Sequence, residues 1–114
     1  MNQEDIFILT AREYYLSAVD EFNKERYNSS VILFFKSLVS LCDLFILRET
    51  GESPSSHTKR FHIAEMKFPE IYDLLDKDFP FYQDSYVKIM SRELAEVIRK
   101  DVSVMAGKTG LGLS

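Results

Sequence analysis

The chain has 114 residues, enough for one hydrophobic core and too few for two. Hydrophobic residues make up 46% and charged residues 28%, which excludes a disordered chain, and only four Gly and three Pro exclude collagen-like and turn-dense β architectures. With 18 acids against 14 bases the formal charge is −4, which argues against general duplex binding but leaves room for a local basic patch.

Helical periodicity runs through the body of the chain. Ile8, Ala11, Tyr15, Ala18, Val19 and Phe22 define the apolar stripe of a first helix. Asn2 with Glu4 and Asp5 predicts an early start, because the apolar period continues across the competing cap Thr10. A turn around Lys24–Asn28 follows, with Asn28 or Ser29 as the next N-cap. The second helix runs to about Glu49 and is apolar on most sides between Val31 and Leu47, as a central helix should be. Gly51 and Pro54 mark a loop. Ser55 or Ser56 then caps a third helix carrying Phe61, Ala64, Ile71, Leu74 and Leu75, which Pro69 divides after Phe68.

Asp78-Phe79-Pro80 reads as a fresh start for a short fourth helix with Phe81, Tyr82, Tyr86 and Ile89. Ser91 caps a fifth, with Leu94, Val97, Ile98, Val102 and Met105 as its stripe. The expected fold is therefore all-α, an up-and-down antiparallel bundle of four or five helices. One domain is expected over residues 1–106, followed by a fraying Gly-rich tail over 107–114.

Cys42 is the only cysteine and reads as a buried core thiol, while no Cys/His set has metal-site spacing. The longest unbroken apolar run, Val31–Phe35, is far short of the ~20 residues that cross a bilayer. The first residues lack the basic and apolar regions of a signal peptide. These features lead to the expectation of a cytoplasmic protein with no membrane partner, no metal and no cofactor.

Ala11…Tyr14-Tyr15…Ala18, Tyr27-Asn28-Ser29-Ser30, Lys36-Ser37-Leu38, Gly51…Pro54-Ser55-Ser56-His57 and Glu93-Leu94-Ala95-Glu96 follow one another in a telling order. In that order and spacing, over about residues 5–106, the chain resembles the HEPN domain family of small helical bundles. The resemblance implies a four- or five-helix bundle that often homodimerises. Many members are ribonucleases, commonly toxins paired with a nucleotidyltransferase antitoxin. Their catalytic signature is an arginine and a histidine separated by four to six residues. None of Arg12, Arg26, Arg48, Arg60, Arg92 and Arg99 has a histidine at that distance. No catalytic residue is therefore carried over, and the enzyme question leans towards no.

His57, Lys59, Arg60 and His62 cluster at the expected start of the third helix, where free N–H groups favour anions. Ser56, His57, Lys59 and Arg60 are thus candidates for holding a phosphate; the plainer reading is a loop-capping histidine among solvated charges. Lys36, Ser40 and Asp43 form a polar stripe on the most apolar helix. Lys36 and Asp43 either line a nucleotide- or RNA-binding groove or mark that helix's wet side. Tyr14, Tyr15, Tyr82 and Tyr86 read as core or interface aromatics before they read as base-stacking platforms. Asp73, Asp76 and Asp78 read as a solvated acidic face.

Two functions from different classes follow. The first is a non-catalytic interaction module that homodimerises or docks on a nucleotidyltransferase-type partner, with nucleotide or RNA phosphate binding as an added role. The second is a divergent ribonuclease or nucleotide-handling enzyme using His57 as acid/base and Arg60 or Lys36 as phosphate stabiliser.

Overall fold

A computed structural model describes residues 1–113, and among them all regular structure is helical. The elements are α1 (Gln3–Asn23), α2 (Tyr27–Thr50), α3 (His57–Lys67), α4 (Pro69–Asp84) and α5 (Arg92–Thr109). Three N-caps form as the sequence signals. Asn2 accepts from the Asp5 amide at 2.8 Å, Ser56 from Lys59 at 3.2 Å and Ser91 from Leu94 at 3.2 Å. Gly51 closes α2 in the left-handed conformation at φ +80°, which a β-carbon would oppose.

α1 and α2 run antiparallel, tied by buried serine hydroxyls. Ser30 donates to the Ala18 carbonyl at 3.0 Å and Ser37 to Ala11 at 2.8 Å, while Thr10 and Ser40 share a hydrogen bond. Small residues at these points let two backbones approach while these four hydroxyls find partners. α4 descends along α2, because Glu70 at its start meets Lys108 and Ser85 just beyond its end meets Asn28. α5 then rises beside α2 in the same direction. Asn28 near the start of α2 binds Met90, and Arg48 near its end donates to the Thr109 carbonyl at 2.7 Å. The long helices α1, α2, α4 and α5 thus alternate down and up, with α2 central. α3 is a short fifth piece laid against α4.

The core comprises Phe34, Phe35, Leu38, Leu41 and Leu44 of α2 closed in by Ala11, Tyr15, Ala64, Ile71, Leu75, Ile98 and Val102, among others. By length and composition α2 could span a bilayer, but most of that stretch is buried inside the bundle. Cys42 is fully buried, and desolvation raises its thiol pKa, so it stays an inert core residue.

Four local expectations are corrected. Asn28 does not cap α2, which begins one residue earlier with Arg26 at the cap position and no side-chain cap. Its amide instead donates to the Ser85 and Lys88 carbonyls at 2.9 and 2.7 Å and accepts from Met90 N at 2.9 Å. No new helix starts at Asp78. α4 passes straight through Pro80, because Phe79 and Tyr82 are anchored on His57 and Phe35 on either side of the proline. Tyr86 and Ile89 lie beyond that helix and are exposed.

Asp78 is not part of a solvated face; it is completely buried, while Asp73 and Asp76 are exposed. Nor is there a break at residue 106. Residues 107–109 continue α5, Gly110 caps it, and the Leu111 amide donates to the Ala106 carbonyl at 2.8 Å with its side chain in the core. Ser114, the last residue of the expected tail, lies outside the described residues.

Candidate functional site

The candidate residues come from the middle of α2 and the first turn of α3. Asp43 sits on α2, within reach of Arg60 from α3. The guanidinium makes a two-pronged pair with the carboxylate, Nε to Oδ1 at 2.6 Å and Nη2 to Oδ2 at 2.9 Å. Only 7% of the Asp43 side chain and 11% of the Arg60 side chain are exposed. Burial pushes the Asp43 carboxyl above its ordinary value, while the two guanidinium donors pull the other way.

The remaining terminal nitrogen of Arg60, Nη1, lies 2.5 Å from Nδ1 of His57. A guanidinium has only donors, so Nδ1 must be the acceptor and carries no proton. The imidazole is therefore neutral, with its proton on Nε2. Partial burial lowers the His57 pKa, and the charge of Arg60 lowers it further, as does that of Lys36. The ring is also wedged edge-on against Phe79 at 4.7 Å and Phe61 at 5.8 Å. Its orientation is set by the bundle.

His57 lines a cleft of about 240 Å³ together with Tyr14, Phe35, Lys36, Val39, Ser40 and Tyr82. Tyr82 stacks on Phe35 at 4.8 Å, and the Lys36 ammonium stands 5.9 Å from the Tyr82 ring centre. Lys36 pairs with no carboxylate among the described residues, and no carboxylate lines the cleft. An ammonium and a neutral imidazole on an aromatic wall make a place where a small anion is favoured.

The structure thus gathers four of the six candidates. Lys36 and His57 face the cleft, and Asp43 and Arg60 form the buried brace behind His57. Ser56 is used as the α3 cap, and exposed Lys59 lines a separate hollow with Thr50, Pro54 and Ile63. The polar stripe on α2 is neither simply wet nor simply a groove, since it goes from the cleft at Lys36 and Ser40 to a buried ion pair at Asp43.

Two cleft residues, Tyr14 and Tyr82, read from sequence as core or interface aromatics before base-stacking platforms, and nothing in the sequence sets them beside the candidate residues. Their distance from Lys36 and His57 along the chain hid their place beside them. A larger hollow of about 380 Å³ between Phe45, Phe68, Ile71 and Lys108 holds none of the candidates. No cluster of metal-ligating side chains occurs among the described residues.

Comparison with protein-family models, with curated proteins and with solved structures finds no match for this chain.

Proposed function

We propose that the chain is a non-catalytic interaction module, a HEPN-like helical bundle that pairs with a second copy of itself through α1. The observation that carries this is an apolar stripe on the outer side of that helix. Ile6 is 40% exposed, Leu9 52% and Leu16 66%, although the opposite face of α1 is already packed on α2. Their spacing of three and seven places them along one face, as in a helix–helix seam. Met1, Ile6, Leu9, Thr10 and Glu13 line a shallow apolar hollow of about 260 Å³ on this side.

The stripe adjoins the cleft, because Thr10 borders the hollow and hydrogen-bonds Ser40 of the cleft. Lys36 and the Nε2–H of His57 suit the cleft to a phosphate group of a nucleotide or RNA. A nucleotidyltransferase-type partner remains part of this proposal through the family resemblance alone. Catalysis is the weaker reading. Lys36 is free to stabilise a phosphate, but Arg60 is neutralised by Asp43 and the free nitrogen of His57 is a donor rather than a base, so the cleft lacks a general base.

Light scattering over a concentration series tests the assembly. A dimer is expected, and a chain with both Leu9→Glu and Leu16→Glu should run as a folded monomer. A wild type that is monomeric throughout the series overturns the reading.

A further inference from the structure

The least satisfied polar groups in the bundle lie away from the cleft, where α4 meets α5. Asp78 is 0% exposed and Asp101 5% exposed. Both oxygens of Asp78 are buried without a hydrogen-bond partner. Lys77 places its ammonium 2.9 Å from Asp101 Oδ2, but half of that lysine side chain stands in solvent and it serves one carboxylate of the two. A buried carboxylate with no partner is strongly disfavoured in its ionised form, and Asp78 lies beside the Asp101 carboxylate, so the two do not both stay ionised.

We infer that Asp78 and Asp101 share a single proton that fastens α4 to α5, and that this seam loosens as rising pH removes the proton. As two carboxylates neither residue can donate to the other. With one proton between them, an O–H of one donates to the other's oxygen, and the Lys77 ammonium balances the remaining charge.

The groups facing the pair are few. Lys77 comes from α4 itself, Asp101 from α5, and the Cys42 thiol from α2, where Asp78 is among the charges it senses. Burial raises the Asp78 pKa well above the usual carboxylate range, the neighbouring Asp101 raises it further, and Lys77 offsets only part of this. The two helices approach each other over only a short stretch, so a single polar contact matters there. α4 also carries Phe79 against His57 and Tyr82 into the cleft, so the same proton bears on the cleft wall.

The sign of the pH dependence follows from the raised affinity for a proton. The contribution is fully present below the unfolded carboxyl range and is lost as pH rises through the folded one. For the full chain at neutral pH, infrared spectroscopy should show the carbonyl stretch of an un-ionised carboxyl group, and Asp78→Asn should remove it. Chemical denaturation of the wild type should show the folding equilibrium constant falling by up to about tenfold per pH unit from neutral into alkaline pH.

Asp78→Asn keeps a donor for Asp101 without a titrating proton. It should flatten that slope and be at least as stable as the wild type at neutral pH. Lys77→Met should extend the protonated range to higher pH. The inference is overturned by a missing un-ionised carboxyl band, by a flat wild-type profile, or by Asp78→Asn being less stable at every pH. Should that variant not fold, the band and the Lys77→Met profile still decide.

Discussion

At the scale of single residues, the bundle assigns one chemistry to each member of a polar trio that the sequence leaves ambiguous. Arg60 spends its planar fork on Asp43, and its last nitrogen fixes His57 as a neutral Nε2–H donor. Breaking the ion pair from one side leaves a buried charge with no partner. Asp43→Ala is therefore expected to cost about 3–5 kcal/mol of folding stability, read by chemical denaturation, whereas Asp43→Leu with Arg60→Met should recover most of it. His57 supplies its own check by NMR titration. Its pKa should lie below the ordinary histidine value, so its stabilisation is complete above that value and is lost as pH falls through the histidine range. Inorganic phosphate bound beside Lys36 should raise that pKa, and Lys36→Met should cancel the rise.

At the scale of elements, what each helix end does depends on what is packed around it. Asn2, Ser56 and Ser91 cap as their local sequence dictates, because a cap needs only the next three residues. Asn28 has the same side-chain chemistry and is diverted, since the turn between α4 and α5 passes within reach and offers two carbonyls and an amide. Asn28→Ala should therefore leave α2 intact and free that turn. A loss of about 2 kcal/mol is expected, with faster hydrogen exchange at the Met90 amide and little change in helix content. Pro80 makes the same point in reverse. The local rule ends a helix there, and aromatic packing of Phe79 and Tyr82 carries α4 through it.

At the scale of the molecule, the other long helices bury one face each around the central α2 and leave the outer side of α1 with an uncovered apolar stripe. Pairing two copies along it would make stability depend on concentration. The melting temperature should then rise with protein concentration, and the Leu9→Glu, Leu16→Glu chain should lose that dependence. The fold itself was largely readable in advance. Helical period, three of the caps, the Gly51 loop and the division at Pro69 are all local signals, and all appear where the residues place them.

The candidate site was readable only in part. His57 and Arg60 stand out at the start of the third helix, and Lys36 and Asp43 as a polar stripe on the most apolar one, but which of them meet is a matter of where α3 lies beside α2. A signal for the buried acids was present too. Asp78 continues the stripe of Ile71 and Leu75, and Asp101 lies between Ile98 and Met105. The chain by itself determined an all-helical, single-core bundle, because period, capping and composition act within a few residues of one another. Only the tertiary structure decided which charges pair, which stay unpartnered and which apolar face stays bare. Those outcomes depend on distances between residues far apart in the chain, and on how much water each group loses when the helices close.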